Sequence, residues 1–359
     1  MGYSKKAIAC SSFFKVEVSY RLKVSIIIVN WNGKAHLQTC LDSINVQTFR
    51  DFETILVDNG SVDGSLEFVA NCYPWVKTVP RTVNHGFAEA NNIGFLQASG
   101  LYIVTLNNDT LVAPSWLDEL VRVADENPRV GMVASRICSY NDHDIIDSLG
   151  IHVCRDGMSR GAYRLLSFSK LVIHGTENIL LPSACSALYR KEMIDDIGFF
   201  DEDFFAYCED TDIGIRARLA GWGALLASKS VVYHKYSQTS GSFSPLKLYL
   251  VERNHYWVVL KNFPLRYVFL LPFITLCRFI YQLRIVLLRD GAGYQFAVSN
   301  DKGAYFLALF RGMVDAFKMS PKMIKKRLIF QSKIKLSSRA MARLLRAHRL
   351  SFKELLDAG

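Results

Sequence analysis

Three apolar runs in the first third of the chain end alike, on an asparagine or an aspartate, and this recurrence constrains the fold more than any other feature. VSIIIV (24–29) runs into Asn30-Trp31-Asn32-Gly33, ETILV (53–57) into Asp58-Asn59-Gly60, and LYIVTL (101–106) into Asn107-Asn108-Asp109. Continuous β-branched runs of this kind mark strands buried on both faces. Between them Leu37, Cys40, Leu41 and Ile44 recur at helical spacing. Ser61 or Asp63 can cap a second helix, residues 86–98 suit a third, and Pro114 opens a fourth that Asn127-Pro128 ends. With a short strand at 76–79, strand and helix alternate as in an α/β protein with a mostly parallel sheet. Ligands in such sheets bind beyond the carboxyl ends of the strands, where these polar residues stand.

The common nucleotide fingerprints are missing. No GxGxxG follows the first strand, and neither GxxxxGK[ST] nor GxSxG occurs. The strand ends offer carboxylates and amides instead. Those groups suit hydrogen bonds to a base and ribose, and a hard divalent cation holding phosphates. Half the residues are hydrophobic and 21% are charged, which excludes a disordered chain. Eight scattered cysteines without a CxxC pair favour a reducing compartment. The N-terminus has too short an apolar run for a signal peptide, and no run of 18 uncharged apolar residues predicts a simple membrane span.

Charge divides the chain. Residues 245–359 hold 21 basic and 6 acidic residues, a net of +15, whereas residues 1–244 carry −5. No acidic residue lies between 316 and 353. Such a region seeks a polyanion. No zinc, helix-turn-helix or RNA-binding signature accompanies the charge, so nucleic acid is not expected as a partner. The apolar stretch 267–288 is interrupted by Arg278, Arg284 and Pro272, and a second apolar stretch, 305–310, precedes Arg311. These predict helices lying at a membrane surface, with Arg278, Gln282 and Arg284 near one face at headgroup level. An ordinary helical subdomain packed on the first domain is the alternative.

VSIIIVNWNG, ETILVDNGSVDGS, NHGFAEANNIG, TLNNDT and AYCEDTDIGIRARLAGW, in that order, resemble family 2 glycosyltransferases of the GT-A fold, closest to the rhamnosyltransferase-like enzymes of bacterial surface polysaccharide synthesis. The resemblance spans roughly residues 24–260 and implies a catalytic domain over 24–245. Its nucleotide-sugar half would be 24–110 and its acceptor half 111–245, between an N-terminal extension (1–23) and a basic helical, membrane-associating region (246–359).

The resemblance also implies residue roles. Asn30, Asn32 and Asp58 would line the pocket of a dTDP- or UDP-linked sugar, with Asp58 accepting the N3–H of the base and Asp63 nearby. Asn84, Gly86 and Asn91 would run under the donor phosphates, with Asn107 near the ribose. Asp109 would hold Mg²⁺ or Mn²⁺ together with His234, although the first aspartate of the family's DxD is Asn107 here. Asp210 would be the catalytic base of an inverting transfer, with Glu209 as runner-up or acceptor contact. The implied acceptor is a saccharide, lipid-linked on the cytoplasmic face of the inner membrane. Residues 137–178 carry no motif and suggest an acceptor loop. A non-catalytic scaffold that binds a membrane or partner through its basic helices is the competing expectation.

Overall fold

The computed structural model describes residues 22–173, 175–235, 244–287 and 302–356. The expected N-terminal extension lies almost wholly outside the described residues, as does the stretch 288–301.

β1 (Val24–Asn30) lies inside a ten-stranded sheet, flanked in parallel by β2 (Phe52–Asp58) and β4 (Tyr102–Asn107). β3 (Lys77–Pro80) closes the parallel edge beside β2. Beyond β4 come β11 (Ser186–Arg190), antiparallel to both neighbours, then β6 (Val130–Ser139), β12 (Gly223–His234) and β10 (Thr176–Asn178). β5 (Thr110–Val112) and β7 (Ile146–Ser148) attach to β12 and β6, while β8 (Ile151–Val153) and β9 (Ser159–Gly161) form a separate hairpin.

The run VSIIIV is buried because the sheet is covered on both sides. Ile26 and Ile28 face a core shared with α1 (Lys34–Asn45) and α4 (Trp116–Glu126). Ile27 faces the opposite core, with α3 (Phe87–Leu96), α5 (Lys191–Ile197) and α6 (Glu209–Leu219). α2 (Ser65–Cys72) flanks the parallel edge. Register then places the site: Asn30 pairs with Asp58, and Val29 with Asn107. The polar strand ends therefore meet at one end of the sheet.

The basic region is helical: α7 (Pro245–Asn262), α8 (Leu265–Leu287), α9 (Lys302–Lys318), α10 (Ser320–Phe330), α11 (Ser338–Ala347) and α12 (Phe352–Leu356). It shares a core with the sheet domain. Trp257 of α7, Phe263 just after it, Leu271, Ala316, Met323 and Met341 pack with Phe204, Ile215 and Leu219. Lys261 of α7 bridges Asp201 (2.5 Å) and Asp212 (2.7 Å), and Lys326 of α10 also reaches Asp201 (2.5 Å).

One expectation is overturned at α8. Arg278 does not sit at headgroup level: it is 2% exposed, with Nε 2.8 Å from Asp156 and Nη2 2.7 Å from Glu252, both fully buried. Gln282 turns the same way and donates to the Tyr305 hydroxyl. The helix continues through Pro272, with Phe269, Leu270, Phe273, Leu276, Ile280 and Leu283 exposed. The edge with Arg278 and Gln282 is inside and a long apolar edge outside, the reverse of a water-facing helix. By length and composition alone, residues Leu265–Arg284 could cross a bilayer, at a mean hydropathy of 1.2. The buried ion pairs fasten one edge of the helix to the protein.

Candidate active site

A cleft of about 490 Å³ opens at the carboxyl ends of β1 and β4, where the strand order turns back on itself. Beneath it lies a hydrogen-bonded lattice. The Asn30 amide donates to Asp58 (2.9 Å) and Ser61 (3.1 Å) and accepts from Asn108 (2.8 Å). Asp58 also accepts from the Ser61 backbone N–H (3.0 Å). Asn32 accepts from Val62 N–H (2.8 Å), and Asp63 accepts from the N–H groups of Lys34 (2.9 Å) and Ser65 (3.1 Å). Gly33 allows this closeness, since a Cβ there would lie 2.2 Å from the Asn108 amide nitrogen.

These contacts correct part of the sequence expectation. Asn30 and Asp58 are fully buried, bonded to each other and do not line the cleft, because the parallel register sets them side by side. Asn32 and Asp63 knit the two loops and also stand off the lining. Asn91 is buried too; its amide donates to the Phe87 carbonyl (2.9 Å) within its own helix. The lining on this side comes from Asn59, Asn84, Gly86, Asn107 and Asn108. Asn84 accepts from Asn59 (2.8 Å) and from Gly86 N–H (2.8 Å), fixing the turn into α3.

Asp109 and His234 face each other on the next wall. His234 ends β12, opposite Thr110 of β5, so strand pairing delivers it to Asp109. Its Nε2 lies 3.2 Å from Asp109, and its Nδ1 lies 2.7 Å from Asp147, which also pairs with Arg164 (2.7 Å). Burial opposes a charge on this imidazole, but Cys185, Asp109 and Asp147 outweigh it and hold its pKa well above the ordinary value. Burial likewise acts to raise the Asp109 and Asp147 carboxyl pKa values, and the His234 contact overrides it and lowers both.

Glu209 and Asp210 stand at the start of α6, on the same cleft as Asp109. Asp210 is half-buried and accepts from the N–H groups of Thr211 (2.6 Å) and Ala184 (3.3 Å). Burial raises its pKa, tempered by those hydrogen bonds. Glu209 is 5% exposed, and burial first and the Asp210 charge second push its carboxyl well above the ordinary range. Asp210 is thus the more accessible of the pair, with the pKa of a carboxylate moved toward neutral pH.

The approach to this pair is unusual backbone. Phe205 (φ 64°, ψ −67°) centres a three-residue turn closed by Ala206 N–H to Phe204 C=O (2.8 Å). Tyr207 (φ 69°) and Cys208 (φ 67°) are also left-handed without being glycine.

The cleft is also lined by residues to which the sequence assigned no site role. Asp147, Arg160 and Arg164 come from the hairpin region 137–178, and Leu246, Lys247 and Leu250 from the start of α7. The available signal was Asp147 itself, a carboxylate set in the apolar run Ile145-Ile146 of a strand.

Comparison with known proteins agrees with this architecture. The family model described as "Glycosyl transferase family 2" matches residues 25–198. The N-acetylglucosaminyl-diphospho-decaprenol L-rhamnosyltransferase of Mycobacterium tuberculosis is 26% identical over 235 residues, 60% of this chain and 76% of that protein. The structure of S. aureus TarS 1–349 in complex with UDP-GlcNAc superposes with a TM-score of 0.54 at 18% identity, over 91% of this chain and 93% of that one. GalNAc-T7 with UDP, GalNAc and Mn2+ gives 0.56 at 19% identity, over 68% and 48%. At such identities the structures speak for the fold alone. Residues 25–198 of this chain carry a glycosyl transferase family 2 domain on the GT-A fold, and the part of the cleft lined by Asn84, Asn107, Asp109 and Asp147 lies within them.

Proposed function

We propose that the protein transfers a sugar, with inversion, from a nucleoside-diphosphate donor (dTDP- or UDP-linked) to a saccharide acceptor carried on a lipid. The observation that carries this is the meeting of Asp109 and His234 with Glu209 and Asp210 in one cleft, although about a hundred residues separate the acids in the chain. The L-rhamnosyltransferase relative supports rhamnose as the sugar and a diphospho-lipid acceptor in surface polysaccharide synthesis.

Asp210 is the base in this scheme. Its carboxylate accepts the proton of the acceptor hydroxyl while that oxygen forms the new bond to the anomeric carbon and the nucleoside diphosphate leaves from the opposite face. The N–H groups of Ala184 and Thr211 orient the carboxylate. Burial and the neighbouring Asp210 charge hold the Glu209 carboxyl well above the ordinary range, which lessens its charge beside Asp210. Asn59, Asn84 and Asn107 offer amide donors and acceptors to the ribose and phosphates.

A divalent cation fits this donor set. Among the described residues, the buried Asp109 Oδ1 is faced by the His234 imidazole at 3.2 Å and by no well-aligned hydrogen-bond donor. His234 is backed by Asp147, the carboxylate–histidine arrangement that orients a metal-binding imidazole. Among the described residues no group of three or more His, Cys, Asp or Glu forms a complete cage. Asp109 and His234 would hold the ion and leave its other positions to donor phosphates, as suits Mg²⁺ or Mn²⁺. When bound, the ion would supply Lewis-acid stabilisation of the departing diphosphate.

The acceptor's lipid implies a membrane. The exposed apolar edge of α8, with Phe306 and Phe310 of α9 and Leu328 and Ile329 of α10, would rest on the cytoplasmic face of the inner membrane. Exposed basic residues of the same helices, Arg266, Arg284, Arg311 and Lys325, would add about 1 kcal/mol each where they reach anionic headgroups. The functional test is a panel of nucleotide sugars incubated with the enzyme, Mn²⁺ and membrane lipid extract. One donor consumed with sugar appearing on lipid supports the proposal. No consumption of any dTDP- or UDP-sugar contradicts it.

A further inference from the structure

The turn before the catalytic acids is held in place from outside the sheet domain. Phe204 through Cys208 include three non-glycine residues in the left-handed region, at Phe205, Tyr207 and Cys208. Strained backbone of this kind persists only where its surroundings over-determine it. Here the surroundings are α7. Asn254, fully buried, directs its amide nitrogen at three successive parts of the turn: the carbonyls of Phe204 (2.9 Å), Ala206 (2.9 Å) and Tyr207 (2.7 Å). Its neighbour Arg253 donates from Nη2 to the carbonyls of Asp203 (3.1 Å) and Phe204 (2.9 Å). Arg253 Nε donates to the Asn254 side-chain oxygen Oδ1 (2.9 Å), which fixes the amide so that its nitrogen faces the turn. The guanidinium in turn stacks over Trp257, 4.3 Å from the ring centre.

The far side of the turn rests on the donor wall. The Phe205 carbonyl accepts from Ala88 N–H (3.0 Å), and a Cβ on Gly86 would lie 2.4 Å from that oxygen. One short segment thus bridges the wall of Asn84 and Gly86 to Glu209 and Asp210, and α7 clamps it.

We propose that Asn254 and Arg253 are positioning residues for Asp210. They hold the strained turn so that the first turn of α6 presents its carboxylate to the cleft. This deepens the proposed transferase reading and rests on it for its catalytic consequence. It also gives the helical region a second role, since the helix that anchors the basic region also sets the catalytic turn.

The test separates the clamp from the chemistry. Asn254→Ala and Arg253→Gln are compared with wild type by hydrogen exchange over residues 203–211, by donor-induced melting shift, and by kcat and KM for the donor. Loss of the clamp should speed exchange in that peptide while the β1 and β4 peptides stay protected. A misplaced base should lower kcat by about 100-fold in Asn254→Ala, with donor KM and the melting shift nearly unchanged. Arg253 is half-buried, so Arg253→Gln should fold even where Asn254→Ala does not, with the same pattern at smaller size. Unchanged exchange in a folded variant overturns the clamp. Faster exchange with unchanged kcat overturns the positioning role. If wild type transfers no sugar at all, the transferase reading fails, while the exchange arm still decides whether α7 holds the turn.

Discussion

Replacing Arg278 by methionine is the severest test of how the helical region is attached. Arg278 is the only lysine or arginine within ion-pair distance of Asp156 and Glu252 among the described residues; the His255 imidazole also lies 3.6 Å from Glu252, and Arg278 and both acids are at most 2% exposed. Removing the guanidinium leaves two buried carboxylates facing only the His255 imidazole beside Glu252, and losing one member of a buried pair costs about 3–5 kcal/mol. Glu252 gives an independent figure. Burial acts to raise its pKa, and chiefly the Arg278 charge overrides this and lowers it from 4.5 to about 2. A carboxyl shifted that far favours the folded state by about 3 kcal/mol at neutral pH.

The sign follows from linkage. Glu252 is depressed in the folded state, so its contribution is complete above pH 4.5 and disappears as pH falls from 4.5 to about 2. Urea unfolding at pH 7 should therefore show Arg278→Met losing about 3–5 kcal/mol. Adding Glu252→Gln and Asp156→Asn should recover much of it, because the carboxylates are then no longer charged. A loss below about 1 kcal/mol in the single variant would show that α8 is not held through these pairs.

Other outcomes follow from the same geometry. The raised Asp210 pKa places the acid limb of kcat/KM above the ordinary aspartate value of 3.8, since the base works only deprotonated and activity falls as pH drops through its pKa; a pH–rate profile flat down to pH 4 would refute this. Gly86→Ala puts a Cβ 2.4 Å from the Phe205 carbonyl at φ +91°, and should destabilise by about 1–3 kcal/mol and depress turnover, read by melting and rate together. Phe273→Glu with Ile280→Glu places charge on the exposed edge of α8 and should abolish sedimentation with anionic vesicles while leaving the fold intact; unchanged sedimentation would refute membrane contact through α8.

The parts legible in sequence were those set by local pattern. β-Branched runs ending in Asn or Asp located β1, β2 and β4, and the ordered motifs led to Asp109, Glu209, Asp210 and His234 on one cleft. The illegible parts depend on partners distant in the chain. Asn30 and Asp58 look like pocket residues until register shows them bonded to each other. Asp147 comes to His234 only because β7 pairs with β6, which no motif announces. Arg278 could be put on a helix face from its spacing, but spacing does not say which face turns inward. That depended on Glu252 and Asp156, whose burial only the packed structure shows. Asn254 was hidden for the same reason, since its three acceptors are backbone atoms.

The central claim is that donor binding and proton removal are divided between two walls of one cleft. The most direct measurement pairs donor-induced melting shift with transfer rate in wild type, Asp109→Asn and Asp210→Asn, with Mn²⁺ present. Asp109→Asn should lose both the shift and the transfer. Asp210→Asn should keep the shift and transfer more slowly by a factor on the order of 10³. Near-normal transfer by Asp210→Asn would contradict the claim.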